Sequence, residues 1–270
     1  MPEPIRLGML TPSSNTILEP VTTAMLSGVR NVTAHFSRFR VTEIAIADSS
    51  DRQFDEDEIL RAADLLAHAK VDVIAWNGTS ASWLGFERDE QLCARILSTT
   101  GIVAGTSVLA FREIFQRTGV SRVGLVTPYV ANVQAKIMDN WRKVGVFCPA
   151  ERHSGLRENF AFAEVSEHDI ADMARAVGQA GVDAVAIVCT NMRGAGLAEE
   201  LEAELGIPVY DSIATTLWKS LLLAGAAPAQ IRGWGSLFSN PLLASAQVGQ
   251  KAPSAAPDSG PSPLVTALPS

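Results

Sequence analysis

The sequence predicts an α/β protein of two similar lobes, each built on a parallel sheet, with a site in the cleft between the lobes. Three observations support this prediction. Short apolar segments alternate with amphipathic ones, as in parallel α/β folds. The same order of segments occurs twice, with closely similar motifs. Polar residues follow corresponding apolar segments in both halves, and the ends of parallel strands are where such folds bind ligands.

Seven segments have the apolar character of buried strands, at 5–10, 31–36, 71–76, 102–104, 122–126, 182–188 and 208–210. Three segments between them predict helices. Acidic residues at 55–58 begin a helix that continues to residue 69, and residues 87–97 have helical spacing. Ser166 followed by Asp169 begins a third helix, which ends near Gly178.

An internal repeat defines the two lobes. Residues 71–79, VDVIAWNGT, align with residues 182–190, VDAVAIVCT, at an offset of 111 (182 minus 71). Residues 5–13, IRLGMLTPS, likewise resemble residues 121–129, SRVGLVTPY. We therefore predict a first lobe at 1–116, completed by 217–240, and a second lobe at 117–216. Residues 251–270 are rich in Pro, Ser, Ala and Gly, which predicts a disordered tail.

Four strand ends are expected to meet in the cleft. They are 13–15, 78–80, 128–129 and 189–191, and they carry hydroxyl, phenol, amide and thiol groups. Hydroxyls and backbone N–H groups at strand-to-helix turns bind anions. Cys189 is the candidate acid or base, because a thiol at a helix N-terminus can ionise more easily. The alternative, that Cys189 is a small core residue ending an apolar strand, stays open on spacing alone.

Composition excludes several classes of partner. The chain has 270 residues, with 22 basic and 29 acidic side chains and a net charge of −7, so nucleic acid and anionic membranes are not expected partners. Three cysteines and no apolar run long enough for a membrane span suit a cytoplasmic protein. The four histidines lack ligand spacing, so no metal is expected. A small carboxylate or dicarboxylate is the expected partner, and an oligomer is possible.

Other motifs give weaker signals. The segment 194–196, Gly-Ala-Gly, follows a strand but has Glu199 where a dinucleotide fingerprint needs glycine, so no nucleotide cofactor is expected. No Gly-X-Ser-X-Gly elbow is present. Cys93 and Cys148 are interpreted as core residues, Trp83 as a possible pocket residue, and His153 as a surface residue or, less favoured, a substitute acid.

Taken together, these motifs resemble the aspartate/glutamate racemase superfamily over residues 5 to about 238. Pro12-Ser13-Ser14-Asn15-Thr16 with Glu19, and residues 35–38, look like maleate cis-trans isomerase, whereas 78–82 and 127–129 look more like arylmalonate decarboxylase. The resemblance implies two pseudo-symmetric lobes and no metal or organic cofactor. It implies that Asn15 contacts a substrate carboxylate and that an enediolate intermediate is bound at the turns. The implied site residues are Cys189 as the catalytic group and Ser13, Asn15, Gly78, Thr79, Ser80, Tyr129 and Thr190 as substrate-binding groups.

One departure from the family pattern bears on the reaction. Racemases and maleate isomerases of this superfamily carry cysteine in both turns, whereas the first turn here has Gly78. One thiol suffices for a decarboxylase, because loss of the carboxylate generates the carbanion and only one face is protonated. We therefore predict a cofactor-independent decarboxylase, with an isomerase or racemase of the same superfamily as the alternative.

Two expectations depend on this interpretation. Arg38 and Arg40 lie near a region that is apolar in arylmalonate decarboxylase, so an aryl malonate would fit poorly if Arg40 faced the cleft. A cysteine introduced at position 78 is expected to face Cys189 across the substrate. An alternative of another class is a non-catalytic protein that binds a dicarboxylate in the cleft.

Overall fold

The computed structural model describes residues 3–41 and 56–245, and the predicted tail at 251–270 lies outside these ranges. The α/β prediction is confirmed. The strands are β1 (Ile5–Pro12), β2 (Val32–Phe39), β3 (Val73–Trp76), β4 (Ala104–Thr106), β5 (Arg122–Thr127), β6 (Phe147–His153), β7 (Ala184–Ile187) and β8 (Val209–Asp211). The α-helices are α1 (Leu18–Leu26), α2 (Glu56–His68), α3 (Ala81–Leu84), α4 (Phe86–Thr100), α5 (Ser107–Thr118), α6 (Ala131–Lys143), α7 (Glu167–Gly178), α8 (Ala198–Leu205) and α9 (Ser212–Leu223).

The strands form two sheets of the same topology. The first has the order β2-β1-β3-β4 and the second the order β6-β5-β7-β8, and every neighbouring pair is parallel. Leu10 lies beside Trp76 in the first sheet, as Val126 lies beside Ile187 in the second. The internal repeat thus corresponds to two matching sheets. Because β1 and β3 are central strands, their carboxyl ends lie side by side, as do those of β5 and β7.

Local sequence explains how several helices begin and end. The Ser166 hydroxyl accepts a hydrogen bond from the Asp169 backbone N–H at 3.1 Å, as the predicted N-cap requires. Thr106 and Asp211 cap α5 and α9 in the same way. At the other end, Gly206 follows α8 with a φ of 69°, a left-handed conformation that glycine adopts without strain.

Helix α9 begins after the last strand of the second sheet but packs mainly on the first. It contacts β3, β4, α1 and α5. Its residues are almost all buried, including the side chain of Lys219, which pairs with Glu113 at 2.5 Å. The boundaries 1–116, 117–216 and 217–240 stay a prediction.

The structure contains a strand that is missing from the seven predicted segments. This strand, β6, lies at the edge of the second sheet, and most of its residues are half-buried or exposed. It contains Pro149, which lacks a backbone N–H and is tolerated mainly in edge strands. No helix in the described ranges is long and apolar enough to cross a bilayer.

Candidate active site

A small cavity lies where the predicted strand ends of the two sheets meet. Its volume is about 20 Å³, roughly the room of one water molecule. It is lined by residues of both repeats: Pro12, Val41, Trp76, Gly78, Thr79, Ser80, Trp83, Tyr129, Asn159, Cys189 and Thr190. Six of the eight predicted site residues are therefore brought together at one place. All the lining side chains that the structure describes are neutral or apolar.

Tyr129 and Thr79 connect the two lobes across the cavity. Their hydroxyl oxygens are 2.6 Å apart, and both residues are buried. The Tyr129 ring is held edge-on by Trp83 and Phe162, with ring centroids at 5.2 and 5.4 Å. Burial raises the pKa of Tyr129 well above its usual value, and the adjacent Cys189 adds to the rise. The phenol is therefore a rigid, neutral hydrogen-bond donor.

The Cys189 thiol is buried, which favours its protonated form. Burial raises its pKa to about 12, although hydrogen bonds with the Asn191 backbone and the Tyr129 hydroxyl partly oppose the rise. The Asn191 N–H donates to Cys189 Sγ at 3.4 Å. A thiolate formed for a short time during a reaction would be stabilised by the same two donors. This arrangement suits a proton donor better than a standing nucleophile.

Several backbone N–H groups around the cavity have no acceptor among the residues that the structure describes. Within the described ranges, none is found for the N–H groups of Thr79, Ser80 and Thr190. Two of these residues, Thr79 and Ser80, precede α3, and Thr190 follows β7. Free N–H groups at such turns favour an anionic ligand. The cavity therefore offers an uncharged anion site.

Ser13 and Asn15 do not line the cavity but support its wall. The Asn15 side-chain N–H groups donate to the carbonyl and hydroxyl oxygens of Thr190, each at 3.1 Å. Its side-chain oxygen accepts the N–H groups of Ile17 and Leu18, at the start of α1. Ser13 is exposed and bonds to the backbone of Val41. The substrate-binding roles of Ser13 and Asn15 stay predictions.

Two asparagines that sequence reasoning missed complete the wall. Asn159 lines the cavity and donates a hydrogen bond to the Ser14 hydroxyl at 2.8 Å. The Asn191 side chain donates to the carbonyl oxygen of Asn159 at 2.6 Å and accepts the N–H of Thr16 at 3.0 Å. Asn159 lies outside every predicted strand end, so no local pattern signals it. Asn191 belongs to the predicted strand end 189–191, but the sequence did not predict that its side chain connects Asn159 to Thr16.

Neither Arg38 nor Arg40 lines the cavity. Arg38 pairs with Glu19 at 2.8 Å and donates to the carbonyl oxygens of Ser13 and Asn15. Its guanidinium therefore supports the segment 13–15, which follows β1, from outside the cavity. Arg40 is exposed. These two arginines therefore place no positive charge in the cavity wall that would disfavour an apolar α-substituent on the substrate.

Position 78 differs from the sequence-based expectation. A cysteine there was expected to face Cys189 across the substrate, but the indole ring of Trp76 occupies the space that a side chain at position 78 would need. The repeat thus relates the two turns correctly in the backbone, while the side chains around them differ.

The remaining candidates lie outside the cavity. Cys93 and Cys148 are partly buried, and burial raises the pKa of each thiol to about 12. His153 bonds to Glu151 at 2.8 Å and is absent from the cavity wall. In the described part of the chain, no group of three His, Cys, Asp or Glu side chains is arranged to hold a metal ion.

We expect stability to fall between pH 4 and 7, partly because of the buried carboxyl of Asp211. Burial raises its pKa from 3.8 to about 7, despite hydrogen bonds from the N–H groups of Ile213 and Ala214. In this range the native state holds a proton that the unfolded state has lost, so the free energy of unfolding decreases as pH rises. Asp211→Asn, which keeps the cap oxygen, should reduce the difference between urea midpoints at pH 5 and pH 8.

Asp183→Asn is the matched control for this prediction. Asp183 is exposed, and N–H groups of Ser121 and Arg122 lower the pKa of its carboxyl from 3.8, so its ionisation affects stability only at lower pH. Asp183→Asn should therefore leave the difference between the urea midpoints at pH 5 and pH 8 unchanged. If the urea midpoints of the parent and Asp211→Asn changed equally between pH 5 and pH 8, the raised pKa would not belong to Asp211.

Two parallel α/β lobes, with a thiol and neutral donors where their strand ends meet, define a protein of the aspartate/glutamate racemase type. The family model described as arylmalonate decarboxylase matches residues 8–238. The chain belongs to this family.

Named relatives include both isomerases and decarboxylases. The maleate isomerase of Nocardia farcinica is 30% identical over 242 residues, which cover 86% of this chain and 95% of the relative. The arylmalonate decarboxylase of Bordetella bronchiseptica is 26% identical over 169 residues, which cover 62% of this chain and 70% of the relative. The solved maleate isomerase Iso of Pseudomonas putida S16 has a TM-score of 0.81 at 25% identity, covering 88% of this chain and 99% of that one. This chain is an enzyme of the same superfamily.

Proposed function

We propose that the protein is a cofactor-independent decarboxylase that removes one carboxylate from an α-substituted malonate through an enediolate intermediate. The observation that carries this proposal is the single thiol in the cavity, Cys189, which is buried and held in its protonated form. The site offers one proton donor and several neutral anion-binding groups, which is what this reaction needs. The cavity of about 20 Å³ is smaller than a malonate, so the substrate binds only if the lining side chains move apart.

The proposed reaction has two steps. The bond between the α-carbon and one carboxylate breaks, carbon dioxide leaves, and the electron pair remains as an enediolate on the rest of the substrate. The hydroxyls of Thr79 and Tyr129 and the free N–H groups stabilise the enediolate oxygens. The α-carbon then takes the proton of the Cys189 thiol, and the resulting thiolate regains a proton from solvent.

The raised pKa of Cys189 supports a role as acid. Because burial raises its pKa to about 12, the neutral thiol predominates at pH 7. A thiol that must attack a double bond works as the thiolate, so this environment disfavours it as a nucleophile. Protonation of a carbanion uses the neutral thiol, which is the dominant form.

Cis-trans isomerisation of maleate is the second candidate, and the relative at 30% identity favours it. By resemblance, that reaction uses cysteines in both turns, and this chain has Gly78 in the first. An isomerase here would have to add the Cys189 thiolate to the double bond. The two candidates therefore assign opposite protonation states to the same sulfur atom.

One experiment separates the candidates. The full chain is incubated in D₂O with phenylmalonate, methylmalonate or maleate, and products are followed by proton NMR and by carbon dioxide release. We expect carbon dioxide and α-deuterated monocarboxylates from a malonate, and no fumarate from maleate. Fumarate without carbon dioxide release would overturn the decarboxylase proposal in favour of the isomerase.

A further inference from the structure

The indole ring of Trp76 lies directly over Gly78. Trp76 ends β3 and is 1% exposed. A Cβ atom on Gly78 would lie 1.8 Å from Cζ2 and 2.2 Å from Cε2 of the ring. Carbon atoms that are not bonded approach only to about 3.5–4.0 Å. No residue larger than glycine therefore fits at position 78 while the ring stays in place.

The ring is part of a packed wall. The backbone of Trp76 is paired on both sides, with Leu10 of β1 and Thr106 of β4. The ring packs on Phe39, with centroids 5.0 Å apart. Trp76 lines both the site cavity and a second cavity of about 20 Å³, which is also lined by Asp89 and Leu92. A side chain held in this way has a defined position.

The equivalent place in the second lobe is different. Ile187 corresponds to Trp76 in the repeat, and Cys189, which corresponds to Gly78, keeps its side chain in the cavity. A planar intermediate bound between the two turns would therefore meet a thiol on one face and an aromatic ring on the other. The carbon face of an indole ring has no proton that it can deliver to the intermediate.

We propose that Trp76 is the specificity-determining residue of the site. It covers the Gly78 side of the bound intermediate, so that protons arrive only from Cys189, and it limits the size of a substituent that extends toward the ring. This inference rests on the proposed function, because it concerns the ligand of the same site. Because the Trp76 ring leaves space only for glycine at position 78, a substitution at position 78 alone does not create a second acid.

The first test measures stability and needs no activity. Gly78→Ala, Trp76→Leu and the double variant form a double-mutant cycle, followed by thermal unfolding. We expect Gly78→Ala to lower Tm by several degrees in the parent and much less in the Trp76→Leu background. Trp141→Leu removes an equally buried indole from α6 and should show additive effects with Gly78→Ala. Additivity with Trp76→Leu would overturn the inference.

The second test measures ligand size by calorimetry, with phenylacetate and 1-naphthylacetate as probes. We expect the parent to bind phenylacetate more tightly, and Trp76→Leu to shift the ratio of the two Kd values at least tenfold toward 1-naphthylacetate. Trp141→Leu should leave the ratio unchanged. An unchanged ratio in Trp76→Leu, or no binding of either probe to the parent, would overturn the inference. Normal binding with no carbon dioxide release from malonates would overturn only the proposed function.

The third test concerns the face of protonation, with methyl(phenyl)malonate as substrate. The parent should give one enantiomer of 2-phenylpropionate, whereas Trp76→Leu combined with Gly78→Cys should give both. A folded Gly78→Cys single variant that already yields both enantiomers would contradict the role of Trp76.

Discussion

Cys189→Ala is expected to abolish turnover while leaving the fold intact. The thiol is the proposed donor of the proton that ends the reaction, and general acid catalysis typically contributes about 10²–10⁴ in rate. The loss should appear in kcat, because the groups that bind the anion remain. Turnover is measured by carbon dioxide release, and folding by near-ultraviolet circular dichroism.

Cys93→Ala is the matched control. Cys93 is also a thiol whose pKa burial raises to about 12, but it lies outside the cavity. This variant should lose some packing and keep its activity per folded molecule. Cys189→Ala with parental turnover would refute both the assigned role and the proposed function.

Tyr129→Phe is expected to lower kcat by about 10²–10³, the usual cost of removing one donor to an oxyanion. The change keeps the ring, so its edge-on contacts with Trp83 and Phe162 remain. It removes the hydroxyl that bonds to Thr79 and that supports a thiolate at Cys189. Steady-state kinetics should therefore show a larger effect on kcat than on KM.

Tyr210→Phe provides the comparison for that variant. Tyr210 is as deeply buried as Tyr129, but it lies in the core on β8 and not in the cavity wall. Loss of its hydroxyl should leave kcat unchanged. Equal kcat values for Tyr129→Phe and the parent would show that the phenol is not a donor to the reacting group.

The repeat made the backbone of the site predictable. Parallel strands with the same order in both halves bring equivalent ends together, so the convergence of Thr79, Tyr129, Cys189 and Thr190 follows from the pattern alone. The superfamily assignment rests on those same turns. Strand β6 was not among the seven predicted segments, because an edge strand is only half-buried and so lacks a continuous apolar run.

Side-chain positions that depend on long-range packing were not predictable. The place of Asn159 is set by bonds to Ser14 and Asn191, which lie 145 and 32 residues away. The place of the Trp76 ring is set by Phe39 and by the absence of a side chain at Gly78. Neither relationship has a spacing that a single sequence displays. The sequence showed which groups could meet, but not which space each would occupy.

The contact between Trp76 and Gly78 also constrains how this sequence can change over generations. A cysteine arising first at position 78 meets the indole ring, and overpacking of this kind typically costs about 1–3 kcal/mol. Loss of the ring first leaves a void, and truncating a buried tryptophan costs about 3–5 kcal/mol. Both orders pass through a destabilised intermediate, although the double variant relieves the clash. Epistasis between Trp76 and Gly78, which are separated by one residue in the chain, therefore disfavours the gain of a second thiol at this site.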